Sequence, residues 1–181
     1  MSGLRIAIIA CTLLCLAGCG EREGRDASTP SGFVVPRYVT LRYNTVNARS
    51  GPSEDHRTLW VYHAKGLPVQ IIAETEQWRR ICDPEGAVSW VHMRLVEGRR
   101  NVIRTGAGSI FVRKSPNPAS GAVAELKPRT PASLDRCEKG WCRVKLGKVK
   151  GWVPAAEVWG ADPAAQCRTA RRTTAPAPSP G

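Results

Sequence analysis

The chain is short of the residues from which most catalytic and metal centres are assembled. It has three histidines, His56, His63 and His92, no C-x-x-C pair and no G-x-S-x-G element. A zinc centre needs closely spaced cysteines or a histidine pair, so neither His63 nor His92 reads as a ligand beside the scattered cysteines. A serine hydrolase of the nucleophile-elbow type lacks its motif, and cysteines oxidised to disulfides cannot act as nucleophiles. Glycines are clustered at Gly106–Ser109, GAGS, but no helix follows them, so they make a turn and not a phosphate cradle. Paired carboxylates would need a cleft that small barrels do not supply. The expectation is therefore a protein that is not an enzyme and has no cofactor. Acidic residues are also scarce, 15 against 27 lysines and arginines, for a net charge of +12.

The first apolar run, Ile6–Leu16, is too short to span a bilayer as a helix. With Arg5 before it and Leu16-Ala17-Gly18-Cys19 after it, residues 1–18 look like a bacterial lipoprotein signal peptide, with Cys19 as the lipid acceptor. The alternative is an ordinary secretory signal cut after Gly18. By resemblance to a known sorting rule, Gly20 points to the outer membrane. Residues 19–36 contain EREGRDASTPSG, charged and then small, with no apolar period, and read as a flexible tether. Export makes nucleic acid an unexpected partner. The positive charge would instead meet phospholipid headgroups, phosphorylated sugars or the carboxylates of peptidoglycan.

The body of the chain is a repeat. Glu76–Met93, EQWRRICDPEGAVSWVHM, returns as Lys139–Ala155, KGWCRVKLGKVKGWVPA: polar turn, Trp, short alternating run, glycine turn, Trp-Val. Such a segment is a β-hairpin that would set both indoles beside one core. On this reading Trp78, Trp90, Trp141 and Trp152 are core or core-edge residues. Further back, Asn47-Ala48-Arg49-Ser50-Gly51-Pro52 matches Phe111-Val112-Arg113-Lys114-Ser115-Pro116. The separations of Arg49 from Arg113, Trp78 from Trp141 and Trp90 from Trp152 are 64, 63 and 62 residues, one small domain each. Short β-prone runs separated by Gly and Pro fill both copies, and in Val69–Ile72 the alternation puts Val69 and Ile71 on the core face. The reading is all-β: two tandem, partly open barrels of about five strands each, at residues 37–98 and 99–160. Residues 161–181, rich in Pro, Ala and Arg, cannot pack a core and read as a disordered tail.

The order N-A-R-S-G-P, K-G-L-P-V-Q-I, W-R-R-I, S-W-V-H resembles the bacterial Src-homology-3-like (SH3b) domain. The second copy follows the pattern more loosely, with Phe111-Val112 for Asn-Val and Ser115 for Gly. The whole resembles exported bacterial proteins with tandem domains of this kind and a Cys-x-x-x-Trp-Cys element in the second. The resemblance implies small β-barrels that accompany wall hydrolases as targeting units.

Outside the signal and Cys19, four cysteines remain, and in an oxidising compartment they allow three pairings. Cys137 and Cys142 flank a four-residue turn and can face each other across two strands, and by elimination Cys82 would meet Cys167. Two functions fit. One is an envelope-binding module, lipid-tethered and holding peptidoglycan or wall peptides. The other is an interaction protein docking an envelope partner through a basic surface of Arg79, Arg80, Arg94, Arg99 and Arg100.

Overall fold

The structure, a computed structural model, describes residues 29–162 together with Ala164, Gln166 and Cys167. The signal segment, Cys19, Gly20, most of the tether and the tail after Cys167 lie outside the described residues.

Two antiparallel sheets share one plan. In the first module the strands are β1 (Arg37–Leu41), β2 (Val46–Arg49), β3 (Thr58–Tyr62), β4 (Pro68–Glu74), β5 (Trp78–Cys82), β6 (Val88–His92) and β7 (Val96–Glu97), ordered β3-β2-β6-β5-β4-β1-β7. The second has β8 (Asn101–Ile103), β9 (Ile110–Arg113), β10 (Ala122–Leu126), β11 (Pro131–Glu138), β12 (Trp141–Leu146) and β13 (Val149–Pro154), ordered β10-β9-β13-β12-β11-β8. The fold is all-β as expected, with one 3-10 turn after each last hairpin, at Met93–Leu95 and Ala155–Glu157. Neither ladder closes into a barrel, and the sheets hold seven and six strands where about five were expected. The first sheet exceeds the second by β7, a closing strand of two residues. In the second module the place of β7 is taken by a single bridge, Ile103 to Trp159, bonded in both directions at 3.0 and 2.9 Å.

Both copies also carry a bulge at the same point. The register of β4 on β5 shifts between Ile71 and Ala73, and that of β11 on β12 between Leu134 and Arg136. One extra residue moves the next side chains to the other face. Glu74 is thereby placed opposite Arg79 on the core side of the first sheet, and Cys137 opposite Cys142 on that of the second. The hairpin between β11 and β12 turns on Lys139 and Gly140, with φ of 48° and 78°, the pair of left-handed residues that a tight two-residue turn requires.

Each module has its own core. Val39, Leu41, Val46, Val69, Ile71, Ile81 and Val91 fill the first, and Val102, Val112, Leu126, Val144 and Val153 the second. Strand β8 serves both: Val102 points into the second core while its neighbour Ile103 enters the first. Asn101, on the Ile103 side, donates to Gly66 O at 2.7 Å. The segment after the second module then lies along the first. Trp159 meets Tyr38 edge to face at 5.0 Å, and the buried Gln70 amide binds Ala164 O and Gln166 N, both at 2.9 Å. Cys167 is bonded to Cys82, with Cα atoms 6.0 Å apart, and Cys137 to Cys142, at 4.0 Å.

Peptide mapping of the unreduced chain should return these two linked pairs and no other. By chain entropy the Cys82–Cys167 link, spanning 85 residues, should stabilise the chain by about 4–5 kcal/mol, and the five-residue Cys137–Cys142 link by about 2 kcal/mol. Denaturant titration of the Cys-to-Ser double variants measures both.

Candidate functional site: a groove on the outer face of the first module

Alternation along β5 and β6 decides which side chains are available. Ile81 and Val91 face the core, so Trp78, Arg80 and Cys82 on β5, and Val88, Trp90 and His92 on β6, project from the opposite face. The tryptophans of the repeated hairpin thus back the sheet outside the two central clusters, where Trp78 and Trp152 are nevertheless buried, as a core-edge position requires. In the second module Cys142, Val144 and Val153 face inward, which sends Trp141 and Trp152 out in the same way. The tryptophans that do pack against the first core are Trp60 and Trp159. Trp60 was legible in principle: it lies two residues before Tyr62, and both side chains point inward from β3.

The outer tryptophans are framed by arginines. Trp90 lies between Arg49 and Arg80 on its neighbouring strands, and Trp152 between Arg113 and Arg143. Arg49 and Arg113 also hold the loop that follows their strands. Arg49 donates to Glu54 O and His56 O at 2.9 and 2.8 Å, and Arg113 to Ser120 O at 2.6 Å. This explains the arginine in the repeated motif. In the first module the loop is braced further by the His56 ring, which lies on Gly51 so closely that any Cβ there would collide with it. His56 Nδ1 and Ser53 Oγ are 3.0 Å apart, but among the described residues no carboxylate bonds to the ring, so the pair reads as a loop brace.

Loop 50–57 and the turn Thr75–Gln77 stand as two walls above the start of β5. Between them run two contiguous depressions of about 490 and 280 Å3 that share Glu54, Trp78 and His92. Asn47, Arg49 and Arg94 complete the rim. The Trp78 and His92 rings meet edge to face at 5.3 Å and form the floor. His92 Nδ1 accepts the Arg94 N–H at 3.2 Å, which leaves the Nε2 edge to carry the ring proton. The groove therefore offers an aromatic edge, two amides (Asn47, Gln77), two guanidinium groups (Arg49, Arg94) and two carboxylates (Glu54, Glu76), suited to holding a polar polymer by hydrogen bonds. Among the described residues no three of His, Cys, Asp or Glu converge on a possible metal position.

The five arginines expected to form one basic surface do not come together. Arg79 is buried on the core side, in an ion pair with Glu74 at 3.1 Å, and donates to Thr75 O at 2.7 Å. Arg80, its neighbour, is on the opposite face. Arg94 is exposed at the groove, Arg99 is exposed beside Glu97 at 3.6 Å, and Arg100 lies over the Tyr38 ring and donates to Gly160 O. His63 is exposed on the other side of the module, and Cys82 is covered by Cys167.

Glu74 gathers the start of the described chain. Its buried carboxylate accepts from Arg37 at 2.7 Å, from Arg79, and from the backbone and hydroxyl of Ser31. Burial alone would raise its pKa, but the bonds from Ser31 and Arg37 outweigh it and hold the group at about 2, below the usual 4.5. Burial conversely lowers the pKa of Arg79.

These features agree with comparison to known proteins. The family model for the bacterial SH3 domain matches residues 42–98 and again 107–160. The chain belongs to the bacterial SH3 domain family. Its two copies of the domain are the two modules described, and domains of this family are associated with the cell wall. NlpC1 and NlpC2 of Trichomonas vaginalis are solved structures with a TM-score of 0.32 to it, at 12% and 11% identity. Each comparison covers 68% of this chain, and 45% and 48% of the respective NlpC chain, so this chain spans under half their length. At that level the likeness bears on neither activity nor substrate. The curated proteins contain no match.

A group whose pKa is lowered in the folded state stabilises the fold above its unfolded pKa and ceases to do so as pH falls through the folded one. The melting temperature of the wild type should therefore exceed that of Glu74→Gln above pH 4.5, and the gap should close as the pH falls towards 2. Thermal melts of the two proteins across this range measure it.

Proposed function

We propose that the protein is a non-catalytic cell-envelope binding protein whose SH3 modules hold peptidoglycan or its peptides, with a lipid on Cys19 tethering them to the membrane of the exporting bacterium, the outer one by the Gly20 rule. The observation that carries the reading is the groove over Trp78 and His92. It is open, and its polar lining comes from four separate segments, Asn47 and Arg49 from β2, Glu54 from the loop after it, Glu76 and Gln77 from the turn before β5, and Arg94 from the 3-10 turn. Membership of a cell-wall-associated family and a net charge of +12 support the same assignment, since peptidoglycan presents carboxylates to a basic surface. The other reading, docking of an envelope protein on a basic surface of five arginines, loses Arg79, which is buried in its ion pair with Glu74.

Purified peptidoglycan should sediment the wild-type chain. Arg94→Glu, an exposed change that leaves the cores untouched, should weaken this about tenfold, the worth of one hydrogen-bonded charge. Equal sedimentation of the two proteins would remove the groove from the account. Cys19→Ala should release the protein from the membrane fraction or leave it unprocessed. Unchanged fractionation and an unchanged N-terminal mass would reject the tether.

A further inference from the structure

A second concavity, of about 510 Å3, lies where the two modules meet. Trp60, Tyr62, Asp83 and Glu85 wall it from the first module, and Ile103 and Arg129 from the second. It shares no residue with the groove over Trp78. Neither module alone would enclose it, and the sharing of β8 between the two cores fixes its width.

In a chain of net charge +12, its lining carries two carboxylates, Asp83 and Glu85, against one guanidinium, Arg129, with His63 beside them. Asp83, only 5% exposed, is set in one orientation: Oδ2 accepts the Tyr62 hydroxyl at 2.9 Å, and Oδ1 accepts the N–H groups of Glu85 and Ala87 at 3.1 and 2.8 Å. All three donors are neutral. Among the described residues no cation pairs with Asp83. Burial and the Asp83 charge together raise the pKa of Tyr62, which keeps that hydroxyl a donor. Trp60 and Tyr62 stand edge to face, with ring centroids 5.9 Å apart. At the rim, Glu85 reaches across the module boundary to Arg129, and both side chains are more than half exposed. An ion pair so exposed holds little energy and exchanges readily.

An aromatic pair, an oriented carboxylate without a cation and a second carboxylate at the mouth together make a receptor for positive charge. An anion would be repelled there, and a neutral sugar would leave the Asp83 charge unmatched. We infer that the inter-module cleft binds a primary alkylammonium group of the kind a peptide carries on a free side-chain amine. The ammonium sits between Asp83 and Glu85 against Trp60, and its methylene stem lies along Ile103. Arg129 is the competitor that the ligand displaces from Glu85.

The test is an amide NMR titration of the intact, disulfide-bonded chain with Nα-acetyl-lysine amide, and in parallel with the same compound acetylated on its ε-nitrogen. The charged probe should shift the Trp60 indole and Ala87 amide signals at millimolar concentration while those of Trp78 and His92 stay in place, and the acetylated probe should shift none of them. Glu85→Gln should weaken binding about fivefold, and Arg129→Ala should strengthen it about twofold. Both positions are exposed, so neither change threatens the fold. Absence of shifts with the charged probe, equal response to the two probes, or shifts confined to Trp78 and His92 would each overturn the inference. None of these outcomes bears on sedimentation with peptidoglycan, which reads the other groove.

Discussion

Strand β8 is the constraint on which the rest of the molecule depends. In three residues it gives Val102 to one core, Ile103 to the other and the Asn101 amide to Gly66, so neither module completes its interior without the segment that joins them. A 60-residue domain buries too little surface to be secure alone. Sharing a strand between two such domains enlarges both cores at the cost of their independence. The segment from Trp159 to Cys167 then fastens the far end of the second module to the first, through Tyr38, Gln70 and Cys82.

Within that frame the two copies show one geometry carried by different chemistry. The bulge in β4 and its counterpart in β11 bring one cross-strand pair to the same place in each sheet. The first copy fills it with Glu74 and Arg79, and the second with the Cys137–Cys142 disulfide. An ion pair can recruit further donors, and Arg37 and Ser31 join it to hold the incoming chain. A disulfide recruits none, but it pins its hairpin regardless of pH. The closing strand likewise shrinks from β7 to the Ile103–Trp159 bridge, whose Trp also spans the junction between modules.

Much of the architecture could be read from residues alone, because strand alternation and turn chemistry are local. The repeated segments Glu76–Met93 and Lys139–Ala155 do form hairpins, β5-β6 and β12-β13, and Cys137 and Cys142 do face each other across two strands. What escaped was the sense of each face. Composition marks Trp as core material, yet Ile81 and Val91 outcompete Trp78 and Trp90 for the inside because period-two alternation admits only one set. The adjacent arginines misled for the same reason: Arg79 and Arg80 are neighbours in sequence and therefore on opposite faces of a strand. The groove was not legible, since Asn47, Glu54, Trp78 and Arg94 converge only through pairing of β2, β5 and β6. The inter-module cleft draws on residues scattered from Trp60 to Arg129 and left no local signal.

The inter-module cleft exists only because the two modules are held as one body, whereas the groove is lined by the first module alone. Scanning calorimetry of the intact oxidised chain tests that claim most directly. The shared β8 and the fastened C-terminal segment predict a single transition whose calorimetric and van't Hoff enthalpies agree. Two resolved transitions, each accounting for about half the heat, would show that the modules unfold independently and would contradict the account.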